Sequence, residues 1–75
     1  MEEKTFGKKL KENRKAKKKS QEELAYVVSV SQGTISNWEK DKREPTYPDI
    51  IRLTMALGVN TTDLYDVSKI KIENI

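Results

Sequence analysis

Residues 29–40 read SVSQGTISNWEK, a run of small polar side chains with only three sizeable apolar residues, Val30, Ile35 and Trp38. This composition is poor material for a hydrophobic core. In a helix, which turns by about 100° per residue, Ile35 and Trp38 lie together on one side. The other side carries short polar groups, namely Gly33, Ser36, Asn37 and Lys40, with Gln32 and Thr34 on its flanks. Exposed helix positions usually favour Glu, Lys and Ala over Gly, Ser and Asn. The stretch therefore predicts a helix with one buried face and one face that contacts a partner, rather than an ordinary solvated surface.

A second short helix precedes this one. Residues 20–23, SQEE, have the spacing of a capping box, in which the Ser20 hydroxyl binds the Glu23 amide and the Glu23 carboxylate binds the Ser20 amide. Ser31 has the side chain needed to cap the helix that follows. The buried side of the second helix consists of Leu24, Ala25 and Val28. Two short helices joined by three or four residues have helix-turn-helix geometry.

The rest of the chain also has helical periodicity. A first helix over about residues 5–18 carries a thin apolar stripe. Capping signals at residues 46–49 start a fourth helix, which Gly58 ends, and residues 60–63 start a short fifth helix. We therefore expect an all-α domain of five short helices over residues 1–67.

The 75-residue chain contains no Cys and no His. It can form no disulfide, no thiolate or imidazole zinc site and no Ser-His-Asp triad. Paired carboxylates at a useful spacing and a phosphate-binding glycine loop are also missing from the sequence, so we expect no enzyme, no cofactor and no small-molecule substrate. No apolar run approaches the roughly 20 residues of a membrane span, and no signal peptide is evident. We expect a cytoplasmic protein without a membrane partner.

The net charge of +3 is unevenly distributed. Residues 1–19 contain nine Lys or Arg against three Glu, whereas residues 20–75 contain six basic against nine acidic residues. One basic end indicates a polyanionic partner. The lysine run at residues 15–19 has three interpretations: a localisation or RNA-binding signal, distal attraction for phosphates, or a solvated face, which is the commonest outcome.

Side-chain amides stand out on the polar face of the third helix. An amide donates and accepts hydrogen bonds at once, which matches the edge of adenine in the major groove of DNA. Gln32 and Asn37 are the amides in question. The composition of this face therefore favours readout of double-stranded DNA.

Seven short motifs occur in order along the chain. They are FGKKL at 6–10, Arg14, SQEELA at 20–25, VS at 30–31, TISNWE at 34–39, REP at 43–45 and ALGV at 56–59. Each is weak alone, but the ordered set resembles the phage-repressor/Cro type of helix-turn-helix transcriptional regulator, also called the xenobiotic-response-element (XRE) family. The resemblance covers about residues 6–65 and implies a lambda-repressor-like DNA-binding domain.

The resemblance also implies roles for individual residues, since in this family the third helix enters the major groove. The residues implied in base reading are Gln32, Gly33 and Asn37, with Ser36 a weaker candidate. The residues implied in phosphate contacts are Gln21, Thr34, Lys40, Lys42 and Arg43. Gln21 would also brace the first side-chain amide of the third helix. Arg14 and Glu39 would form a partly buried ion pair between the first and third helices.

The chain departs from the family pattern at five positions. Asn13 and Lys19 stand where aliphatic residues are usual, and Lys18, Ser29 and Asp41 stand where glycine is common. We therefore expect looser packing of the first helix and a less tight turn between the second and third helices.

Some positions keep two interpretations. Gly33 either allows close approach to DNA or is a tolerated weakness near a helix start. Tyr26 and Val27 are either a contact surface or scattered exposed apolar residues. Trp38 could stack on a base, but its spacing from Ile35 favours the core, with a hydrogen-bond partner for the indole nitrogen.

Regulators of this kind bind as two-fold dimers on palindromic half-sites about 34–36 Å apart. The resemblance implies a homodimer surface formed by Leu64, Tyr65, Val67, Ile70 and Ile72. The tail over residues 68–75 alternates like a strand, and it is either a dimerisation arm or a segment folded back on its own domain. We expect a sequence-specific repressor of a palindromic operator. A protein-interaction module, an antitoxin and a controller protein are the alternatives.

Overall fold

The computed structural model describes residues 4–65, which contain five helices. These helices are α1 (Phe6–Ala16), α2 (Gln21–Val28), α3 (Gln32–Glu39), α4 (Tyr47–Leu57) and α5 (Thr61–Leu64). The expected all-α fold is confirmed. None of the five helices is long and apolar enough to cross a membrane. The tail over residues 68–75 lies outside the described residues.

Short-range hydrogen bonds set the starts of the helices. At α2, the Ser20 hydroxyl accepts from the Glu23 amide at 3.0 Å, and the Glu23 carboxylate accepts from the Ser20 amide at 2.8 Å. Thr46 and Asp49 form the same reciprocal pair at α4, and the Ser31 hydroxyl caps α3. Replacing such a cap by alanine usually costs about 0.5–2 kcal/mol. The caps predicted at these three helices are confirmed.

The two capping carboxylates are held in the ionised form. Hydrogen bonds from the backbone and side chain of Ser20 lower the pKa of Glu23. Burial opposes ionisation of Asp49, but hydrogen bonds from Thr46 and Arg52 outweigh it and lower the pKa of Asp49. Both caps are therefore strongest when their carboxylates carry a charge.

Three residues other than glycine have a left-handed backbone: Lys18 (φ 57°), Ser29 (φ 62°) and Asp41 (φ 58°). They are the positions at which the family resemblance favours glycine, because an L side chain in this region costs about 1–2 kcal/mol. The turn between α2 and α3 is tight nonetheless, since the Val30 amide donates to the Ala25 carbonyl at 3.0 Å. The expectation of a less tight turn is wrong. The backbone adopts the tight conformation and carries the strain.

The core lies where the helices meet. Its buried residues are Leu10, Leu24, Ala25, Val28, Ile35, Trp38, Leu53, Leu57 and Leu64. Ile35 and Trp38 are the contribution of α3, as predicted, and the Trp38 ring packs edge-on against Phe6 with centroids 6.5 Å apart. The Trp38 indole nitrogen was expected to have a hydrogen-bond partner. It is buried without one among residues 4–65.

α1 approaches the C-terminal end of α3 closely because residue 7 is glycine. A Cβ atom on Gly7 would lie 2.5 Å from the Glu39 carbonyl oxygen and 2.6 Å from that of Trp38. The Gly7 amide donates to one oxygen of Asp41 at 2.9 Å, and the Thr5 hydroxyl donates to the other at 2.6 Å. These contacts hold the end of α3 against the start of α1 and so orient the exposed face of α3.

Asn13 joins α1 to α5. Its side-chain amide donates to the Lys9 carbonyl at 2.8 Å and to the Asp63 carbonyl at 3.3 Å. The expected loosening of α1 is therefore not seen at this position, because the polar side chain replaces an apolar contact with a hydrogen bond between helices.

Candidate nucleic-acid interface

The outward face of α3 carries the residues predicted to contact bases. Gln32, Gly33 and Asn37 are exposed, and Ser36 is half-buried. None of the four has a bulky aliphatic side chain, so the backbone of α3 can come close to a groove floor. Ile35 and Trp38 are buried on the opposite side of α3, so this face points away from the core.

Packing does not explain the glycine at position 33. A Cβ atom there would lie 3.7 Å from the Ser31 hydroxyl, which is an ordinary van der Waals distance. Gly33 contrasts with Gly7, where the same atom would collide with two backbone oxygens. Gly33 therefore either allows close approach to a partner or is a glycine that the helix start tolerates. In the first case Gly33→Ala would weaken binding of the partner, and in the second it would not.

Arg14 and Glu39 form a bidentate pair beneath the α3 face. Arg14 Nε donates to Glu39 Oε2 at 2.6 Å, and Arg14 Nη2 donates to Glu39 Oε1 at 3.1 Å. The two side chains are 10% and 4% exposed. Arg14 Nη1 also donates to the Lys19 carbonyl at 2.8 Å. Because a bidentate pair has little freedom to rotate, it fixes α3 relative to α1 and to the start of α2.

A chain of hydrogen bonds leads from this pair to the exposed face. Gln21 Nε2 donates to Glu39 Oε1 at 3.0 Å, and Gln32 Nε2 donates to Gln21 Oε1 at 3.4 Å. The expected contact between Gln21 and the first amide of α3 is present in the structure. The chain connects a buried carboxylate to a side chain that lies at the surface.

The charge of Glu39 determines which way both amides point. A carboxylate only accepts hydrogen bonds, so Gln21 must direct its NH₂ group toward Glu39 and its oxygen toward Gln32. Gln32 must then use one N–H to reach Gln21. Its oxygen and its second N–H remain for an outside partner, and this acceptor–donor pair is what the adenine edge can bind.

The residues predicted to contact phosphates surround this face. Lys40, Lys42 and Arg43 are exposed, and none of them forms an ion pair within residues 4–65. The Lys42 amide donates to the Asn37 carbonyl at 2.9 Å, which fixes the backbone of this turn at the end of α3. Thr34 is half-buried, and its hydroxyl lies 2.9 Å from that of Ser31.

Asp41 adds a negative charge to the same turn, but its carboxylate points toward α1. It is occupied by the Thr5 hydroxyl and the Gly7 amide, at the positive end of the α1 dipole. The cations at Lys42 and Arg43 are therefore not neutralised by contact with this neighbour. Sequence reasoning missed the role of Asp41, and also that of Gly7, because both depend on a contact between residues more than 30 positions apart.

The described part of the proposed dimer surface is small. Leu64 is fully buried in the core of its own chain, so its side chain has no surface left for a second copy. Tyr65 is half-buried, and its ring lies edge-on to Phe6 with centroids 5.9 Å apart. Val67, Ile70 and Ile72 lie outside the described residues.

Large apolar side chains are exposed at four positions. They are Tyr26 (87% exposed), Val27 (54%), Tyr47 (58%) and Met55 (77%). Tyr26 and Val27 lie on α2 and the other two on α4, so each of these two helices presents apolar surface to its surroundings.

Comparison with known proteins gives consistent results. The model of the helix-turn-helix family matches residues 10–64. No curated protein matches the chain. Among solved structures, the restriction-modification controller protein C.AhdI from Aeromonas hydrophila is 32% identical, with a TM-score of 0.76, and the match covers 80% of this chain and 91% of that one.

Two further structures concern the P22 c2 repressor. Its DNA-binding domain, solved by nuclear magnetic resonance, is 31% identical with a TM-score of 0.80, and the match covers 85% of this chain and 84% of that one. The repressor crystallised with a synthetic operator is also 31% identical, with a TM-score of 0.78, and the match covers 83% and 94%. Together with the geometry of α2 and α3, these matches show that the chain belongs to the helix-turn-helix family of DNA-binding transcriptional regulators, of the phage-repressor/Cro type.

Proposed function

We propose that this protein is a sequence-specific repressor that binds a palindromic operator in double-stranded DNA as a homodimer. The chain of hydrogen bonds from Arg14 through Glu39 and Gln21 to Gln32 carries the proposal. It favours one orientation of the Gln32 amide at the surface through a 3.4 Å contact with Gln21, with a donor and an acceptor unused. Such pre-orientation lowers the conformational entropy lost on binding, and the fold itself has no need of it at an exposed side chain.

The surrounding charges support the same conclusion. Lys40, Lys42 and Arg43 follow α3 directly and form no ion pair within residues 4–65. Phosphate contacts position a protein on DNA, and base contacts give it specificity. In the proposed complex Gln32, Asn37 and Ser36 meet base edges, Gly33 allows close approach, and Gln21, Thr34 and the three cations hold the backbone.

The mechanism requires no covalent chemistry. A repressor of this kind acts by occupying the operator, which excludes RNA polymerase, so we propose no catalytic residue and no cofactor. A homodimer places two α3 helices on the same side of the DNA, about 34–36 Å apart. Residues 65–75, including Tyr65, Val67, Ile70 and Ile72, are the proposed source of the dimer contact.

A protein-interaction module of the same fold is less well supported. Such a module would need an apolar or acidic outer face on α3. The acidic residue of this helix, Glu39, is 4% exposed and is bound by Arg14 and Gln21. The face that remains is composed of amides, glycine and serine.

A controller of restriction-modification genes is the second candidate function. The similarity to the C.AhdI controller protein favours it over an antitoxin. The two candidates share DNA binding and differ in the genes they regulate. Sequencing the DNA on either side of the gene separates them, since a controller is expected beside methyltransferase and endonuclease genes.

Selection of bound DNA from a random library, repeated at two salt concentrations, tests the proposal. We expect a palindrome whose half-site centres are about one helical turn apart, with affinity that falls steeply with salt as counterions are released. Salt-sensitive binding without any sequence preference would contradict the proposed function.

The oligomeric state needs a separate measurement. Sedimentation of the whole chain, with and without operator DNA, is expected to give a mass of two copies. A variant ending at residue 67 is expected to dimerise less strongly. If that variant sediments as the whole chain does, residues 68–75 are not a dimerisation arm.

A further inference from the structure

The connection between α1 and α2 consists of Lys17, Lys18 and Lys19, followed by Ser20, which caps α2. Lys18 has φ 57°, a conformation that glycine adopts easily and side-chain-bearing residues rarely do. Two backbone hydrogen bonds close the turn, from the Lys18 amide to the Lys15 carbonyl at 2.9 Å and from the Lys19 amide to the Arg14 carbonyl at 3.2 Å. The turn therefore requires a left-handed residue, and this chain has a lysine there.

No contact within residues 4–65 compensates for this strain. Asp41, which has a similar φ of 58°, gains hydrogen bonds to Thr5 and Gly7 through its carboxylate. The side chain of Lys18 forms no hydrogen bond or ion pair in the described residues. Ser29 has the same strain without a compensating side-chain hydrogen bond in the described residues, so strain alone does not single out Lys18. The exposed positive charge of Lys18, unpaired within residues 4–65, does single it out.

The turn is rigidly joined to the proposed DNA-binding face. Arg14 Nη1 donates to the Lys19 carbonyl at 2.8 Å, and the same guanidinium is bound by Glu39, which in turn holds Gln21. Lys18 precedes Gln21 by three residues, so their Cα atoms are at most about 11 Å apart. The lysine therefore lies close to a residue proposed to contact a phosphate.

Two acidic residues, Glu22 and Glu23, lie in the first turn of α2 directly after this turn, and Glu23 is already engaged by the cap. Glu23 accepts hydrogen bonds from the backbone of Ser20 in the capping box of α2. It lies close enough to Lys19 for that cation to contribute to its lowered pKa, after the larger effect of Ser20. Lys17 and Lys18 form no ion pair in the described residues.

We propose that Lys18 binds a DNA backbone phosphate beside the one contacted by Gln21, and so extends the footprint of each protomer beyond the base-reading helix. This inference rests on the proposed function, since it presupposes the docking of α3 in the major groove. A lysine suits the role because its flexible stem carries a compact charge that needs no fixed geometry. The contact would add affinity without sequence preference.

The test compares two variants that lose the charge with two that keep it. Lys18→Gly and Lys18→Asn remove the charge and relieve the strained backbone. Lys18→Arg keeps the charge. Ser29→Gly relieves a strained backbone of the same kind in the next turn, where φ is 62°, without changing any charge. For each variant, thermal unfolding gives Tm, and titration of the selected operator at several salt concentrations gives Kd and its salt slope.

We expect opposite effects on stability and binding. Lys18→Gly should raise Tm by a few degrees, while the slope of log K against log salt falls by about 0.9 for each protomer. Over the tenfold range from 1 M down to 0.1 M salt, that slope corresponds to about an eightfold loss of affinity per protomer. Lys18→Arg should retain the slope, and Ser29→Gly should raise Tm without changing Kd.

Lys9 provides the control for general electrostatic attraction. Lys9 is half-buried on α1, is not a proposed phosphate contact, and lines a cavity with Arg43, Leu64 and Tyr65. Lys9→Gln should leave the salt slope unchanged. Operators in which a single phosphate is replaced by a neutral methylphosphonate linkage locate the contact directly. At one flanking position, the neutral linkage should lower the affinity of the natural protein. The same linkage should cause no further loss of affinity in Lys18→Asn.

Three results overturn the inference. One is a slope of log K against log salt that equals that of the natural protein in both Lys18→Gly and Lys18→Asn. Another is an equal loss in Lys9→Gln, which would indicate a general field rather than a contact. The third is an unaltered response of Lys18→Asn to every neutral linkage. Failure of the proposed function is distinguishable, because the natural protein itself would then show no preferred sequence.

Discussion

Replacing Gly7 with alanine is expected to destabilise the protein, although alanine is normally the better helix former by about 1 kcal/mol. A carbon atom usually stays about 3.3–3.6 Å from a carbonyl oxygen. The added Cβ would lie 2.5 Å from the Glu39 oxygen and 2.6 Å from that of Trp38. Both neighbours are backbone atoms, so α1 must move away from α3 by roughly 1 Å.

The size of the effect follows from what this movement breaks. Overpacking of this kind costs about 1–3 kcal/mol. The hydrogen bond from the Gly7 amide to Asp41 also weakens, and a bond to a charged group contributes about 1.5–3 kcal/mol. After subtracting the gain in helix propensity, we expect the free energy of unfolding to fall by about 2–4 kcal/mol. Total stabilities are typically about 5–15 kcal/mol, so the loss should be obvious.

Urea unfolding followed by the fluorescence of Trp38 measures this change directly, because Trp38 is the sole tryptophan of the chain and is buried against Phe6. Gly33→Ala is the matched control, since it places the same methyl group in a helix where the nearest atom is 3.7 Å away. We expect Gly33→Ala to raise the free energy of unfolding by up to about 1 kcal/mol. A Gly7→Ala variant as stable as the natural protein would refute the packing argument. If Gly33→Ala also binds the operator unchanged, close approach to DNA is not the reason for that glycine.

Further predictions concern the buried pair, the caps and the DNA contacts. Glu39→Ala should lower the free energy of unfolding by about 3–5 kcal/mol, because it leaves the buried Arg14 partner without its counter-charge; a loss under 1 kcal/mol in urea unfolding would place the pair among ordinary surface bridges. The folded-state pKa values of Glu23 and Asp49 are lowered, so in acid the unfolded state binds more protons than the folded state does. Tm should therefore fall as the pH drops below about 4.5. Glu23→Gln and Asp49→Asn should make this fall in Tm shallower. Asn37→Ala should relax base preference at one position per half-site by about 1–3 kcal/mol, whereas Lys40→Ala should weaken binding to all sequences alike in the same titrations; equal effects of the two variants on every sequence would remove Asn37 from base reading.

The helix starts could be predicted from the sequence because they depend on neighbouring residues. The hydrogen bonds of Ser20 with Glu23 and of Thr46 with Asp49 join residues three positions apart. Chain geometry brings such residues together in any helix start, whatever else the protein does. The buried stripe of α3 was predictable for the same reason, since it follows from helical periodicity alone.

The candidate site was predictable in its membership and not in its geometry. Periodicity and the family resemblance together indicated the exposed face of α3 and the Arg14–Glu39 pair. Which way the amides of Gln21 and Gln32 point depends on the position of the Glu39 carboxylate, 18 residues beyond Gln21. No pattern in the sequence gives that position.

The errors concern residues whose roles are not local. Ser29 was expected to make the turn before α3 less tight, but it adopts the left-handed conformation and the Val30 amide closes the turn on the Ala25 carbonyl. Leu64 was assigned to a dimer surface, yet it is fully buried in its own core. The burial of Leu64 depends on the helices packed around it, and the conformation of Ser29 on the backbone hydrogen bonds that close the turn; a sequence pattern states neither.

The sequence by itself determined that this protein has five short helices, that α3 has one apolar and one polar face, and that its charge lies mainly at one end. These properties follow from propensity, capping and periodicity, which act over three or four residues. Three features depend on the tertiary structure alone. Gly7 lets α1 pack closely on the end of α3, and Asp41 accepts hydrogen bonds from Thr5 and Gly7 at the start of α1. A buried ion pair orients Gln32 through Gln21. These contacts join residues 11–36 positions apart, and so they exist only when the helices have packed.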